Sequence, residues 1–133
     1  MRYLCLVYGD EKQLDSMAKR DFDGLTDDSL DYDDVLKKGG NYLASAALQH
    51  VETATTIRVR NAKVSVTDGP FAETKEQLAG YYILDCKDMD EAIEWAAKIP
   101  TLCGGGPGCV EVRAIREMPE AVRMLLETEY ANS

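Results

Sequence analysis

The sequence predicts an α+β sandwich in which one antiparallel sheet carries helices on one of its faces. The chain has 133 residues, which suits one domain of ordinary size. Short runs of β-prone residues alternate with segments whose apolar residues recur every three or four positions, the spacing of helices. No repeat and no low-complexity linker interrupts this pattern. We therefore expect a single domain over residues 1–133.

Six segments carry the pattern of β-strands. A continuous apolar, β-prone run near the start of the chain is typical of a central strand. Most of the later segments alternate apolar and polar side chains, and Asn61-Ala62 separates two of them as a two-residue hairpin turn. The predicted strands are Arg2–Tyr8, Tyr42–Leu48, Thr53–Arg60, Lys63–Thr67, Leu78–Cys86 and Val110–Ile115.

Three further segments are predicted to be helical. Gly39-Gly40 ends the first of them, because glycine adopts the backbone conformation that terminates a helix. Asp88 and Glu91 form a capping box at the start of the second, and Pro100 ends it. The predicted helical segments are 11–38, as one broken or two short helices, Met89–Ile99, and Pro119–Glu129 at the end of the chain.

The resulting order is β-α-β, a β-hairpin insert, β-α-β and a C-terminal helix. Two βαβ units of this kind form a ferredoxin-like α+β sandwich, with an antiparallel sheet covered by helices on one face. The other face would be apolar and bare, and such faces normally pack against a partner. We therefore predict a homodimer that packs sheet on sheet, unless the C-terminal helix covers part of that face.

The charge balance excludes several classes of function. Fifteen Lys and Arg against 24 Asp and Glu give a net charge of −9, which argues against binding to nucleic acid or to an anionic membrane surface. No apolar run reaches the roughly 18 residues of a membrane span, and the N-terminal apolar run is too short for a signal peptide. We expect an acidic, soluble, cytoplasmic protein.

The acidic charge is concentrated in residues 10–34. This segment has ten acids and three bases, a net charge of −7. Blocks of like charge usually form a solvated helical face, and the alternative is a site for a metal or a cationic partner. The spacing of a calcium-binding loop is absent, and the four cysteines have no C-x-x-C pair. We expect free thiols and no metal, although Cys103 and Cys109 bracket a glycine-rich loop and could approach each other.

The densest group of polar and aromatic residues is the segment DGPFAETKEQLAGYY, which begins at Asp68. One interpretation is a simple turn, in which Gly and Pro bend the chain and Phe71 fills the core. The other is a binding site, because loops on a rigid scaffold often carry the groups that contact ligands. On that interpretation the polar groups are Asp68, Glu73, Lys75 and Tyr81.

The run DGPFAETKEQLAGYYILDCKDMDEAIEWAAKIP, with YGDE before it and GGGPGCVEVRAI after it, resembles the DGPF family. That family belongs to the YCII-related (YciI-like) superfamily of small bacterial proteins, and the match is closest over residues 55–116. The resemblance implies a ferredoxin-like fold and a dimeric α/β-barrel assembly, but no established reaction. Many relatives are encoded beside extracytoplasmic-function sigma factors, which implies a regulatory or stress-linked role.

The YciI-like branch implies a general base, because a His on the first helix and an Asp just before a Pro share a pocket there. This sequence lacks both groups, since residues 12–38 contain no His and Ile99 precedes Pro100. The chain has one histidine, His50. It is either a residue with a structural role or an exposed position, or else an acid–base group near Asp68 or Tyr8.

The last predicted strand also carries a candidate ligand-binding residue. If Val112 and Ala114 face the helices, Glu111 and Arg113 face the dimer cleft. A half-buried Arg113 there requires an acidic partner (Glu111, Glu73 or Glu94) or an anionic ligand. The preceding glycine-rich loop, residues 104–108, follows a helix and precedes a strand, the reverse of phosphate-binding loops, and so predicts a flexible connection.

Two functions are therefore expected as alternatives. The first is small-molecule binding, with or without catalysis, in a pocket at the dimer cleft. Its binding residues would be Asp68, Glu73, Lys75, Tyr81 and Arg113, and its catalytic candidates Asp68, His50 and Tyr8. The second is a non-catalytic regulatory or accessory role beside an extracytoplasmic-function sigma factor. In a third interpretation the motif serves only the fold and the dimer interface. No cofactor is expected.

Overall fold

The computed structural model describes residues 1–100 and 108–122. In these residues the chain forms six strands, three helices and one 3₁₀ turn. The strands are β1 (Arg2–Gly9), β2 (Tyr42–Ala47), β3 (Thr55–Arg60), β4 (Lys63–Asp68), β5 (Gln77–Asp85) and β6 (Gly108–Ala114). The helices are α1 (Glu11–Ser16), α2 (Lys19–Lys38) and α3 (Met89–Ala96), and the 3₁₀ turn covers Val51–Thr53.

Four of the strands form one antiparallel sheet in the order β2-β5-β1-β6. The apolar strand β1 lies inside the sheet, as its continuous hydrophobic run predicts. Strands β3 and β4 form a separate two-stranded sheet, the predicted hairpin insert, with Asn61-Ala62 at its turn. The α+β class with antiparallel sheets is therefore confirmed, and the strand order is consistent with the ferredoxin-like arrangement.

Element boundaries differ from the prediction where hydrogen bonds tighten the chain. Helix α3 ends at Ala96 rather than Ile99, because the Ile99 amide donates to the Ala96 carbonyl in a tighter turn before Pro100. Strand β3 begins at Thr55 rather than Thr53, since Thr53 belongs to the 3₁₀ turn.

The acidic segment forms two helices separated by extended backbone at Met17 and Ala18, although α2, at 20 residues, is not short. Residues 120–122 are helical, where a C-terminal helix is predicted. The remainder of that helix, Cys103 and most of the glycine-rich loop lie outside the described residues.

The core lies between one face of the sheet and helices α2 and α3. Alternate residues of the central strands point into it, while the intervening residues point away. The buried set includes the thiols Cys5 and Cys86, which are free as predicted. The buried residues are Tyr3, Cys5, Tyr32, Leu36, Leu84, Cys86, Ala92, Ala96 and Ile99.

The opposite face of the sheet, here called the open face, is apolar and partly exposed. Leu4 and Leu6 of β1 lie opposite Ile83 and Tyr81 of β5 across the strand pair. All four side chains are half-buried, and both α2 and α3 pack on the other side of the sheet. The composition of this face agrees with the prediction, whereas the sheet-on-sheet dimer stays a prediction.

Most carboxylates of α2 are exposed, which confirms the solvated helical face predicted from the charge pattern. Asp33 is an exception, because its Oδ1 accepts a hydrogen bond from the Tyr82 hydroxyl at 2.7 Å. The Tyr82 ring meets the Tyr32 ring edge-on at 5.7 Å, and the Tyr32 hydroxyl donates to the Trp95 carbonyl. These contacts connect α2 to the sheet and to α3.

The burial of Leu36 predicts a large difference between neighbouring substitutions on α2. Leu36 is 0% exposed and Val35 is 53% exposed. Leu36→Ala should lower the free energy of unfolding by about 2–5 kcal/mol, since it leaves a cavity in the core. Val35→Ala is the matched control and should change it by less than about 0.5 kcal/mol. Urea unfolding followed by circular dichroism measures both values, and equal effects would contradict this core.

The buried thiols predict a loss of stability in alkali. Burial raises the pKa of Cys5 and of Cys86 from 9.0 to about 11. The unfolded chain therefore releases protons that the folded protein keeps, so stability is complete below pH 9 and falls as pH rises toward 11. Urea unfolding at several pH values should show this fall. Cys5→Ala should be less stable at neutral pH but have a shallower slope between pH 9 and 10, whereas an unchanged slope would exclude the Cys5 contribution.

Candidate functional site

The candidate site lies at the edge of the main sheet that is formed by strand ends, where β1 and β2 end and β5 and β6 begin. The antiparallel register places Gly9 opposite both Gln77 and Gly108 at this edge. Helix α1, the 3₁₀ turn and the loop 69–76 all adjoin it, because each directly follows or precedes one of these strand ends. Residues far apart in sequence therefore meet here, and we call this region the site edge.

His50 forms an ion-pair contact at the site edge. Its Nε2 atom lies 3.2 Å from Oδ1 of Asp15 on α1. The backbone of His50 is also fixed, because its carbonyl accepts hydrogen bonds from the amide and the hydroxyl of Thr53. Asp10 caps α1 by accepting from the Lys12 amide, which fixes the start of the helix that carries Asp15. The imidazole is thus a partly exposed group held in place by a carboxylate.

Glu11 connects three of the segments at the site edge. Its Oε1 atom accepts from the Val51 amide at 2.9 Å, and its own amide donates to Oε1 of Gln77 at 3.0 Å. The Gln77 side chain in turn donates to the Thr74 carbonyl at 2.7 Å. These bonds join α1 and the 3₁₀ turn to the loop 69–76.

A half-open cleft of about 350 Å³, here called the edge cleft, lies between the 3₁₀ turn and the loop 69–76. Apolar groups and two carboxylates line it, and none of its seven lining residues is cationic. A ligand here would meet apolar groups beside hydrogen-bond acceptors, in a cleft most of whose lining residues are exposed. The lining residues are Val51, Glu52, Pro70, Ala72, Glu73, Thr74 and Gln77.

The fold and the site can now be compared with known proteins. The YCII-related domain matches residues 1–119, nine-tenths of the chain. The chain belongs to the YCII-related family. It is 33% identical over 115 residues to an uncharacterised protein of Rhizobium meliloti (strain 1021), a match that covers 86% of this chain and 92% of that protein. Neither the family match nor this relative specifies a reaction for the YCII-related protein.

The segment that begins at Asp68 contributes unequally to the site of this YCII-related protein. Asp68 is the exposed last residue of β4, opposite Thr55, and Glu73 lines the edge cleft. Lys75 is exposed in the same loop. Phe71 is 80% exposed, so the expectation that it fills the core is wrong. The loop turns at Gly69, which has φ of +94°, a conformation that glycine adopts readily. The Gly69 amide donates a hydrogen bond to the Ala54 carbonyl at 2.7 Å.

Tyr81 and Arg113 lie on the open face rather than among the lining residues of the edge cleft. Tyr81 pairs with Leu6, and Arg113 pairs with Leu4 on the other side of β1. Val112 packs on the core side, so the predicted orientation of Arg113 is correct. Arg113 is exposed in this single chain, because β6 is an edge strand, and its half-burial in a dimer cleft stays a prediction.

The remaining candidates are placed as follows. Tyr8 is half-buried near the end of β1, opposite Leu78 and Cys109. His50, expected near Asp68 or Tyr8 if it acts in catalysis, has its ion-pair contact with Asp15.

Over residues 1–100 and 108–122, no group of three or more His, Cys, Asp or Glu is placed to hold a metal ion. None of the helices in these ranges is long and apolar enough to cross a membrane.

Sequence reasoning missed Glu11, Asp15 and Gln77 as residues of the site. The two acids belong to the −7 segment and were grouped there with the solvated carboxylates of α2. A usable signal was the position of Glu11, two residues after the end of a central strand, where side chains often reach a site. The pairing of Asp15 with His50 depends on tertiary structure and has no local signal.

The contact between Glu11 and Val51 predicts how the 3₁₀ turn is held. Glu11→Ala removes the acceptor of the Val51 amide and should raise the hydrogen-exchange rate of that amide at least about tenfold. Glu52→Ala is the matched control, because it removes an exposed carboxylate from the same turn. Exchange measured by NMR tests the contact, and equal Val51 rates in the two variants would show that Glu11 does not hold the turn.

Proposed function

We propose that this YCII-related protein is a small-molecule-binding protein of the DGPF subgroup whose pocket includes the edge cleft. The observation that carries the proposal is the edge cleft, one of whose lining residues, Val51, directly follows His50, whose Nε2 lies 3.2 Å from Oδ1 of Asp15. The cleft supplies a binding volume, and an imidazole contacted by a carboxylate is a typical acid–base group of such sites. The DGPF motif supports the assignment to the subgroup. The loop that contains this motif also supplies four of the seven lining residues of the cleft, Pro70, Ala72, Glu73 and Thr74.

The lining residues indicate the chemistry of the ligand. Glu52 and Glu73 present carboxylates to the cleft, while Val51, Pro70 and Ala72 present apolar groups. A small molecule with an apolar body and an amine would satisfy both kinds of surface, because a carboxylate binds an ammonium group through charge-assisted hydrogen bonds. Asp68 and Lys75 belong to the same segment and would contact larger ligands.

The His50–Asp15 pair supports a catalytic version of the same proposal. One imidazole nitrogen faces the carboxylate, so the other is left to exchange a proton with a bound molecule. Asp15 would then act as a positioning residue that fixes the ring. Tyr8 and Asp68 remain candidates for a second acid–base group at the site edge.

We further propose that the protein acts as a cytoplasmic homodimer that packs open face on open face. The half-buried apolar residues of β1 and β5 support this arrangement, since an apolar sheet face of this kind is usually covered by a partner. Tyr81 and Arg113 would lie in the dimer cleft formed by the two sheets and would extend the pocket from the site edge.

A second candidate function is an accessory role beside an extracytoplasmic-function sigma factor. The observation that favours it is the row of exposed carboxylates on α2, which could engage a basic protein surface. Asp33 would not contribute to that surface, because it is bonded to Tyr82.

Small amines provide the test of the proposed pocket. In a thermal-shift screen of amine metabolites, at least one should stabilise the wild-type protein, and calorimetry then gives its dissociation constant. Glu73→Gln should weaken that binding about tenfold through loss of a charge-assisted bond. Glu94→Gln on α3 is the matched control and should bind normally. Absence of any stabilising amine, or equal binding by the two variants, would overturn the assignment.

A further inference from the structure

The β3–β4 hairpin carries an uncovered aliphatic face. Ile57 pairs with Val66, and Val59 pairs with Val64, so the four side chains lie on the same side of the ribbon. Each of them is between 63% and 66% exposed. The two strands form a sheet of their own and are not paired with the main sheet.

Such a ribbon needs a further contact. A two-stranded sheet alone is marginally stable in water, and it gains stability when its apolar face packs against another element. Contiguous exposed aliphatic residues on a folded protein typically mark an interaction surface. The alternation of apolar and charged residues along the hairpin is that of a sheet with one covered face and one solvated face.

The hairpin is also cationic in an acidic protein. Residues 55–68 contain Arg58, Arg60 and Lys63 against Asp68 alone, a net charge of +2 in a chain of −9. Within the described ranges, none of these three cations forms an ion pair. Arg58 and Arg60 alternate with Ile57 and Val59 and therefore lie on the other face of the ribbon, so a surface that docks on the apolar face meets their charges at the rim of the contact.

Helix α2 offers a surface with the opposite charge. Its outward residues include Asp23, Asp27, Asp31 and Asp34, all exposed and without an ion-pair partner among the described residues. Leu30 lies on the same outer surface and is 62% exposed. This surface therefore combines carboxylates with exposed aliphatic area, and it complements the hairpin in both respects.

We infer that the hairpin of one copy of this chain docks on helix α2 of a second copy. Two chains of −9 repel each other, and a contact that brings the cationic part of one against an acidic part of the other offsets that repulsion. Each copy carries both surfaces, and a two-fold axis therefore forms the contact twice, which doubles the area that stabilises the dimer. The inference rests on the proposed homodimer but uses surfaces other than the open face.

Docking would also fix the loop that lines the edge cleft. The hairpin continues directly into the loop 69–76, which lines the cleft. Gly69 joins the two, because its amide donates to the Ala54 carbonyl and its own carbonyl accepts from the Thr56 hydroxyl. A second copy that holds the hairpin therefore also fixes the loop that carries Glu73.

Charge reversal tests the contact, with association measured by sedimentation equilibrium. The wild type should dimerise, whereas Arg58→Glu/Arg60→Glu and Asp27→Lys/Asp31→Lys should each weaken the homodimer at least about tenfold. An equimolar mixture of the two variants should form a heterodimer. In it the acidic variant hairpin meets the α2 that carries lysines, and the native cationic hairpin meets the native acidic α2, so both contacts join opposite charges. Circular dichroism confirms that each variant folds.

Matched controls separate this contact from the effect of total charge. Lys12→Glu/Lys87→Glu changes the net charge as the hairpin variant does, and Asp90→Lys/Glu94→Lys on α3 changes it as the α2 variant does. Both controls should dimerise like the wild type. A monomeric wild type, a hairpin variant that dimerises normally, controls that weaken equally, or a mixture without restoration would each overturn the inference.

Leu6→Glu on the open face distinguishes the two proposed interfaces. If this variant dissociates while Arg58→Glu/Arg60→Glu remains dimeric, the sheet-on-sheet dimer stands and the hairpin contact is wrong. If Leu6→Glu remains dimeric while the hairpin variant dissociates, the hairpin contact stands without the open-face dimer. Loss of the dimer in both variants supports both interfaces.

Discussion

Strand β1 is hydrogen-bonded on both sides, to β5 and to β6, and the rest of the molecule depends on that pairing. Its register fixes which side chains face the helices, because neighbouring residues on a strand alternate between the two faces. Cys5 is thereby buried beneath α2 and α3, while Leu4 and Leu6 remain on the open face. The same register aligns the ends of four strands, so that helix α1, the 3₁₀ turn and the loop 69–76 meet at one edge.

Carboxylates that look alike in the sequence have different roles in this structure. Asp10 caps a helix, Glu11 holds the Val51 amide, Asp15 contacts His50, and Asp33 accepts from Tyr82. Apart from Asp21, which contacts Arg20, the exposed acids of α2 form a charged surface that has no ion-pair partner among the described residues of this copy. One acidic segment thus contributes to local structure, to the candidate site and to the proposed interface.

Local patterns predicted those parts of the fold that local forces determine. Apolar runs and alternation together located the six described strands, and the capping bond of Asp88 to the Glu91 amide forms as expected. The other half of the expected capping box differs, because the Glu91 carboxylate accepts from Asn41. The exposure of Phe71 and Arg113, the partner of His50 and the role of Glu11 depend on where distant segments meet. The sequence pattern around these residues does not specify that geometry, and the position of Glu11 just after a central strand is the one local signal among them.

The turn of the hairpin has a consequence for the order in which the protein gains its structure. Asn61 and Ala62 both adopt positive φ, at 52° and 62°, and for alanine this left-handed conformation costs free energy that glycine would not incur. A ribbon with a strained turn and no third strand is a unit of low local stability, which opens before the main sheet unfolds. Its ordering and its association with a second molecule would then be one coupled event, so the amount of ordered hairpin would depend on protein concentration.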